Sequence, residues 1–395
     1  MVGDIIQIPT SDGGTVAVKR RPNRGGTPVV LFHGLAVNAD LWNLPDIDGP
    51  NYRYRSLATV LVESGYDVWL VNFRGHGAPT MYSAPPPGQR DWCVDHFIAF
   101  DLPAVFERVA AESNRSPFAI GASMGAMTLA GYVLGAAMTD EGRGPHMVAD
   151  PAIAAARQAA LRGCAFIEFP AALRWPQPLI ADGKLDWGGL LRNWRRTDPE
   201  VNYSFEVASR LGWAMAVVNL VGEVPLDFLR PSVGSMNWIE ALPRRLSDLL
   251  SKAERGAVQA FLNFVGMYTG QTNHKADVFL QGRRHIVDGM KAGVLRQLAK
   301  SVRSCGFVSD IGEPVLVYSN HYDRIATPAL VLAGSQDRIA NPQVTREAFF
   351  ERIASADKQF HLIDGVGHAE IETAPVACEK AYPLIVDWLK QHDAA

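Results

Sequence analysis

The sequence predicts an α/β fold in which a mostly parallel central sheet carries helices on both faces, with a large helical cap inserted late in the sheet. Three observations predict it. Short β-rich apolar runs alternate with helical stretches, several of those runs end in glycine-rich turns, and the alternation stops between residues 171 and 322.

The chain opens with two β-rich runs, 5–8 and 15–19, flanking the turn Ser11-Asp12-Gly13-Gly14, which reads as a hairpin. Buried strands are expected at 29–32, 68–72 and 118–120, then at 164–169, 329–332 and 359–363. Between them, apolar residues recur at three- and four-residue spacing. Leu57, Val60 and Leu61 mark one helix; Phe97, Phe100, Val105, Phe106 and Val109 mark another, interrupted by Pro103. A last helix follows Thr373 and Pro375 and presents Ala381, Ile385, Trp388 and Leu389. The stretch 171–322 holds Trp175, Trp187, Trp194, Trp213 and Trp238, five of the nine tryptophans, and reads as helices at 205–220, 241–265 and 286–302. Three regions result: a first core segment at 1–170, a helical cap at 171–322, and a second core segment at 323–395.

Composition narrows the class. The 395 residues are 48% hydrophobic and 20% charged, with a formal net charge of -3, so neither nucleic acid nor a strongly acidic partner is expected. Cys93, Cys164, Cys305 and Cys378 are far apart and lack C-x-x-C spacing, which argues against a zinc site or a disulfide framework. No basic segment leading into an apolar stretch opens the chain, so a cytoplasmic protein is expected. Residues 119–138 carry no charge, but their four glycines, with Ser123 and Thr128, favour a buried strand, turn and helix over a membrane span.

That stretch contains the first chemical motif, Gly121-Ala122-Ser123-Met124-Gly125, placed between a short strand and a small-residue helix. A serine on such a turn is held in strained geometry at a helix N-terminus, where backbone N–H groups stabilise developing negative charge. The second motif is Val29-Val30-Leu31-Phe32-His33-Gly34-Leu35, a strand ending in His-Gly. A tetrahedral intermediate needs two N–H donors, and Leu35 and Met124 are the best placed to supply them; His33 reads as a structural residue shaping its loop. The third is an order of partners. On an open α/β sheet an acid and then a histidine follow the nucleophile, each in a loop after a strand. Asp337, after 329–334, and His368, after 360–363, meet that requirement. Asp323 and Asp364 are competing acids, and His321 and His361 weaker histidines.

The His33-Gly34-Leu35 turn, Gly65-Tyr66-Asp67-Val68-Trp69-Leu70, Asn72-Phe73-Arg74-Gly75, Phe100-Asp101-Leu102-Pro103-Ala104 and the serine turn together resemble the acid lipase and steryl ester hydrolase family, and the resemblance resumes at Asp337 and His368. It covers roughly residues 28–134 and 304–370, and 162–170 more weakly; the cap has no match. It implies an α/β-hydrolase fold, a helical cap over a hydrophobic acyl site, and ester hydrolysis with Ser123, Asp337 and His368 at the triad positions and Leu35 and Met124 at the oxyanion positions. The chain departs from the family in carrying Ala122 and Met124 where histidine and glutamine are usual, and in continuing Gly75-His76-Gly77. Related polyester synthases use cysteine as nucleophile, so Ser123 argues against that activity.

The expected function is therefore cleavage of a carboxylic ester, with a hydrophobic acyl or bulky apolar group, through an acyl-enzyme and with no metal or organic cofactor. The expected partner is a small ester substrate. An acyltransferase would use the same triad, and a ligand-binding receptor on a hydrolase fold would not require it.

Overall fold

The computed structural model describes residues 3–173 and 285–393 except 24, 51, 143 and 338, together with Val278 and the strands Ile180–Ala181, Lys184–Leu185 and Glu223–Val224. The five tryptophans of the expected cap and the expected helices at 205–220 and 241–265 lie outside the described residues.

Eight strands form the central sheet: β1 (Asp4–Pro9), β2 (Thr15–Arg21), β3 (Pro28–Phe32), β4 (Asp67–Val71), β5 (Phe118–Ala122), β6 (Gly163–Ile167), β7 (Ala329–Gly334) and β8 (Lys358–Ile363). Their order is β1-β2-β4-β3-β5-β6-β7-β8. β1 and β2 form the expected hairpin, β2 pairs antiparallel with β4, and every later pairing is parallel. Strands β3 to β7 are buried from end to end, because a parallel sheet with helices on both faces hides both sets of alternating side chains. Thus Val30, Phe32, Trp69, Val71, Cys164, Phe166 and Val331 enter one core. Their neighbours Val29, Leu31, Val68, Leu70, Ala165, Ile167 and Leu332 enter the other.

Among the described residues, five helices cover these faces: α1 (Leu57–Glu63), α2 (Leu102–Glu112), α3 (Met124–Val133), α4 (Ala292–Arg303) and α5 (Tyr382–Asp393). Leu102, Val105 and Val109 of α2, most of α3, and Val294 and Leu298 of α4 pack on the first face. Leu57 and Leu61 of α1 and Ile385, Trp388 and Leu389 of α5 pack on the second. The last part of the 171–322 stretch, including Phe307 and Tyr318 as well as α4, thus joins the core beneath the sheet.

Pro103 does not break its helix. The chain runs helically from Val94 to Glu112, and a wide turn at Phe97–Asp101 comes just before the proline, which falls in the first turn of α2. The wide turn accommodates the proline, whose missing N–H and ring would otherwise disrupt the regular helical bond to the preceding turn. The last helical segment begins earlier than Pro375, with a short turn at Glu370–Thr373, and β6 ends at Ile167 rather than continuing to Phe169. The uncharged stretch 119–138 is β5, a turn, α3 and part of the short strand Ala136–Thr139. Among the described residues no helix is long and apolar enough to cross a membrane.

Two polar brackets shape the sheet edge from which the functional loops emerge. Arg74, fully buried after β4, donates to Asp101 from Nε (2.9 Å) and Nη2 (2.6 Å) and to Asp12 from Nη1 (2.6 Å), tying that loop to α2 and to the β1–β2 turn. Asn72 accepts from the Ala39 N–H (2.7 Å) and donates to the Met81 carbonyl (2.8 Å), holding the loops after β3 and β4 together. Several residues of the resemblance therefore have structural work: they hold the edge of the sheet in shape.

Candidate active site

Ser123 ends β5 and caps α3 with φ 51° and ψ -116°, a conformation that costs a non-glycine residue on the order of 1–3 kcal/mol. The flanking glycines make the turn possible. A Cβ on Gly121 would lie 2.6 Å from the Gly125 carbonyl oxygen, and one on Gly125 only 2.3 Å from the Phe32 carbonyl oxygen. The backbones of β3, β5 and α3 can meet this closely only without those side chains. Ser123 itself stays half-exposed, and its N–H is anchored on the Ile167 carbonyl (2.9 Å).

The three side chains expected to act together are brought into one chain of hydrogen bonds. Ser123 Oγ lies 2.8 Å from His368 Nε2, and His368 Nδ1 lies 2.8 Å from Asp337 Oδ2. A carboxylate can only accept, so Nδ1 carries the ring proton and the Nε2 lone pair faces the serine hydroxyl. Asp337 is itself held: its other oxygen accepts from the Ile339 and Ala340 N–H groups, each at 2.7 Å. Burial disfavours the imidazolium, but the adjoining Asp337 carboxylate outweighs it, and the pKa of His368 is raised overall. Asp323 and Asp364 are exposed, with Asp364 holding the Ser335 hydroxyl (3.2 Å). His361 lies within β8 and His321 in the turn Tyr318–Arg324; neither makes a hydrogen bond to Ser123 among those of the described residues.

Of the two expected N–H donors, Met124 follows the serine directly and Leu35 follows Gly34. Met124 opens α3, so its N–H has no acceptor within the helix. Gly34 packs against Ser123, since a Cβ there would meet the serine Cβ at 3.3 Å, and this brings the half-buried Leu35 to the same edge. His33 is the bracket of that loop: its Nδ1 donates to the Gly34 carbonyl (2.8 Å) and its Nε2 accepts from the Phe73 N–H (3.2 Å). Burial, with His76 beside it, pushes its pKa well below the ordinary range, so His33 remains neutral.

Sequence reasoning missed two acids behind the histidine. Glu168 follows β6 with φ 48°, is fully buried, and accepts from the N–H groups of Ala369 (2.5 Å) and Ile371 (3.2 Å). Glu372 is buried beside it, and no N–H among the described residues reaches either of its carboxyl oxygens. Burial first, then the neighbouring acids Glu372 and Asp337, push Glu168 well above the usual carboxyl range; burial raises Glu372 too. Two such acids side by side favour a state in which they share one proton. The signal was present at Glu168, a charge between Ile167 and Phe169 in an otherwise apolar run. Glu168, Asp337 and His368 place donor atoms within 4.8 Å of one another, the one such group among the described residues. Both ring nitrogens of His368 are already engaged, Nδ1 with Asp337 and Nε2 with Ser123, so a cation ligated by His368 would have to displace that chain.

Residues 27–137 match the family model described as alpha/beta hydrolase fold, and residues 280–372 match the one described as serine aminopeptidase, S33. Triacylglycerol lipase 2 of Arabidopsis thaliana is 30% identical over 131 residues, covering 32% of this chain and 28% of that protein. The gastric triacylglycerol lipase of Homo sapiens is 33% identical over 123 residues, covering 28% and 29%. The chain thus spans about a third of the length of the curated relatives it matches. Among solved structures, a thermophilic esterase from Thermogutta terrifontis superposes with a TM-score of 0.53 at 15% identity, covering 98% of this chain and 99% of that one. The proline iminopeptidase of Mycobacterium smegmatis gives 0.51 at 16%, covering 99% of each. The fold is the α/β-hydrolase fold.

Proposed function

We propose that this lipase-like chain of the α/β-hydrolase fold cleaves carboxylic esters through an acyl-enzyme formed on Ser123. The observation that carries the reading is the unbroken series from Ser123 Oγ through His368 to Asp337, 2.8 Å at each step, on a serine in a strained turn. Nε2 of His368 takes the hydroxyl proton as Oγ attacks the ester carbonyl, and Asp337 steadies the imidazolium. The Leu35 and Met124 N–H groups hold the oxyanion. The imidazolium returns its proton to the departing alcohol, leaving an acyl ester on Ser123. Water, deprotonated by the same nitrogen, then releases the acid. Relatives named as triacylglycerol lipases support a hydrophobic acyl group as substrate.

The test is labelling with a fluorophosphonate, which needs an activated serine and no guess about substrate. Wild type should gain one adduct by intact mass and Ser123→Ala none. Once wild type is shown to take the label, fresh unlabelled protein is offered esters of graded acyl length, with and without an acceptor alcohol. Preference for acetyl esters would remove the hydrophobic-acyl reading, and a new ester of the acceptor alcohol in place of free acid would make the protein an acyltransferase. A well-folded wild type that takes no label would overturn the hydrolase reading.

A further inference from the structure

We propose that Glu168 is a second acid partner of His368, a positioning residue that holds the histidine's turn in the intact site and can take over from Asp337 the orientation of the imidazole. The inference rests on the hydrolase reading above.

Three features of the geometry point there. Glu168 follows β6 at the same sheet edge from which Asp337 follows β7, so the two acids approach the histidine turn from neighbouring strands. One oxygen of Glu168, one of Asp337 and one ring nitrogen of His368 all lie within 4.8 Å of each other. A Glu168 oxygen thus lies no more than 4.8 Å from a ring nitrogen of His368, about 2 Å beyond the 2.8 Å that Asp337 achieves. The turn itself already depends on Glu168. Its carboxyl accepts from the N–H groups of Ala369 and Ile371, and Ala369, next to the histidine, sits at φ 69°.

The electrostatics make the substitution self-correcting. With Asp337 present, its charge and that of Glu372 disfavour ionisation of Glu168. Removing Asp337 removes one of those two charges, so Glu168 ionises more readily where a carboxylate has just been lost. Glu372 remains beside it to carry the shared proton. The other polar groups packed around the pair are fixed. Glu370 holds the Gly367 N–H (2.5 Å), while the Tyr54 and Tyr382 hydroxyls donate to the Glu372 backbone carbonyl (2.8 and 3.0 Å) rather than to its side chain.

The experiment measures the rate constant of fluorophosphonate labelling against pH for wild type, Asp337→Ala, Glu168→Gln and the double variant, with His368→Ala as the floor and thermal melts to confirm folding. Asp337→Ala should label well above the floor and keep an acid limb, because a carboxylate still faces the imidazole. Glu168→Gln should be roughly tenfold to a hundredfold more damaging in the Asp337→Ala background than in wild type, the size of coupling expected of groups that share a partner. The double variant should reach the floor. Asp337→Ala already at the floor, or an equal effect of Glu168→Gln in both backgrounds, overturns the proposal. A wild type that takes no label instead overturns the hydrolase reading on which it rests. Where Glu168→Gln fails to fold, Glu168→Asp keeps the charge but shortens the reach, and the same loss of labelling in the Asp337→Ala background is expected.

Discussion

Replacing Asp337 with asparagine should disable the site while leaving the fold intact, and the reason is a tautomer. Oδ1 of Asp337 receives the N–H groups of Ile339 and Ala340 at 2.7 Å each, while Oδ2 receives His368 Nδ1 at 2.8 Å. An asparagine must choose which end faces which partner. Its carbonyl oxygen belongs with the two N–H donors, since turning the amide group toward them would leave two buried donors unmet. Each costs about 1–3 kcal/mol, so about 2–6 kcal/mol favours that orientation. The amide NH2 then points at Nδ1, which must accept, and the ring proton moves to Nε2. Nε2 now presents a proton to Ser123 where a lone pair is needed.

At about 1.4 kcal/mol per tenfold, the middle of that range leaves the competent tautomer at roughly one part in a thousand. The corresponding change in a serine protease triad lowers turnover by about ten-thousand-fold. A loss of roughly a thousand- to ten-thousand-fold in kcat/KM on a chromogenic ester is expected, with the fluorophosphonate rate falling in parallel and the melting temperature near wild type. The pH profile gives a second readout. His368 acts as a base only when neutral, so the wild-type acid limb should lie above the ordinary histidine range, because Asp337 raises its pKa. That limb should move to lower pH in Asp337→Asn, where the charge is gone. A loss smaller than tenfold in a folded variant, or an acid limb that does not move, would refute the reasoning.

Two further substitutions probe the frame around the site. Gly125→Ala places a Cβ 2.3 Å from the Phe32 carbonyl oxygen and 2.7 Å from that of His33; both are backbone atoms, so β3 and α3 must separate. A loss of about 1–3 kcal/mol in urea melts should accompany a drop in labelling as the Gly34-Leu35 loop shifts, and wild-type stability would contradict the close approach. Glu372→Gln should be more stable than wild type at pH 8 and equal to it at pH 4. The raised pKa of Glu372 means that its wild-type contribution is intact below the ordinary carboxyl range and is lost as pH rises through the folded value. Glutamine needs no proton and can donate to Glu168; a stability difference that does not grow between the two pH values would sink this account.

What was legible in the sequence follows from how each part is encoded. The strands β3 to β7 are buried on both faces, so they appear as unbroken apolar runs that need no partner to be recognised. Ser123, Asp337 and His368 could be placed because each is a chemically distinctive residue in a loop directly after such a run, and the sheet brings those loops to one edge. The end of β6, the path through Pro103 and the start of the last helical segment were less readable, since local geometry decides them: a positive φ at Glu168, a wide turn before Pro103, a positive φ at Ala369. Glu168 and Glu372 were missed for a different reason. They lie 204 positions apart, and only the parallel pairing of β6 with β7 and β7 with β8 makes them neighbours of each other and of His368.

Those two acids also bear on how the site should be understood. A buried carboxyl is costly, and apolar residues of similar volume at such positions are often neutral or stabilising. Ile167 and Ile371, next to them in the chain, belong to the second core, while Asp337 and His368 adjoin them on the other side. The strain has the same distribution. Of the five non-glycine residues with positive φ among the described residues, Ala36, Ser123, Glu168 and Ala369 lie within two residues of a proposed oxyanion donor, the nucleophile, the second acid or the base, and Cys305 alone lies elsewhere. Cost concentrated at one sheet edge, on a frame of fully buried strands that can bear it, is what a site prearranged to meet charge requires. On that argument Glu168 and Glu372 belong to the proposed catalytic edge rather than to the core, and the double variant of Asp337 and Glu168 is the measurement that separates the two roles.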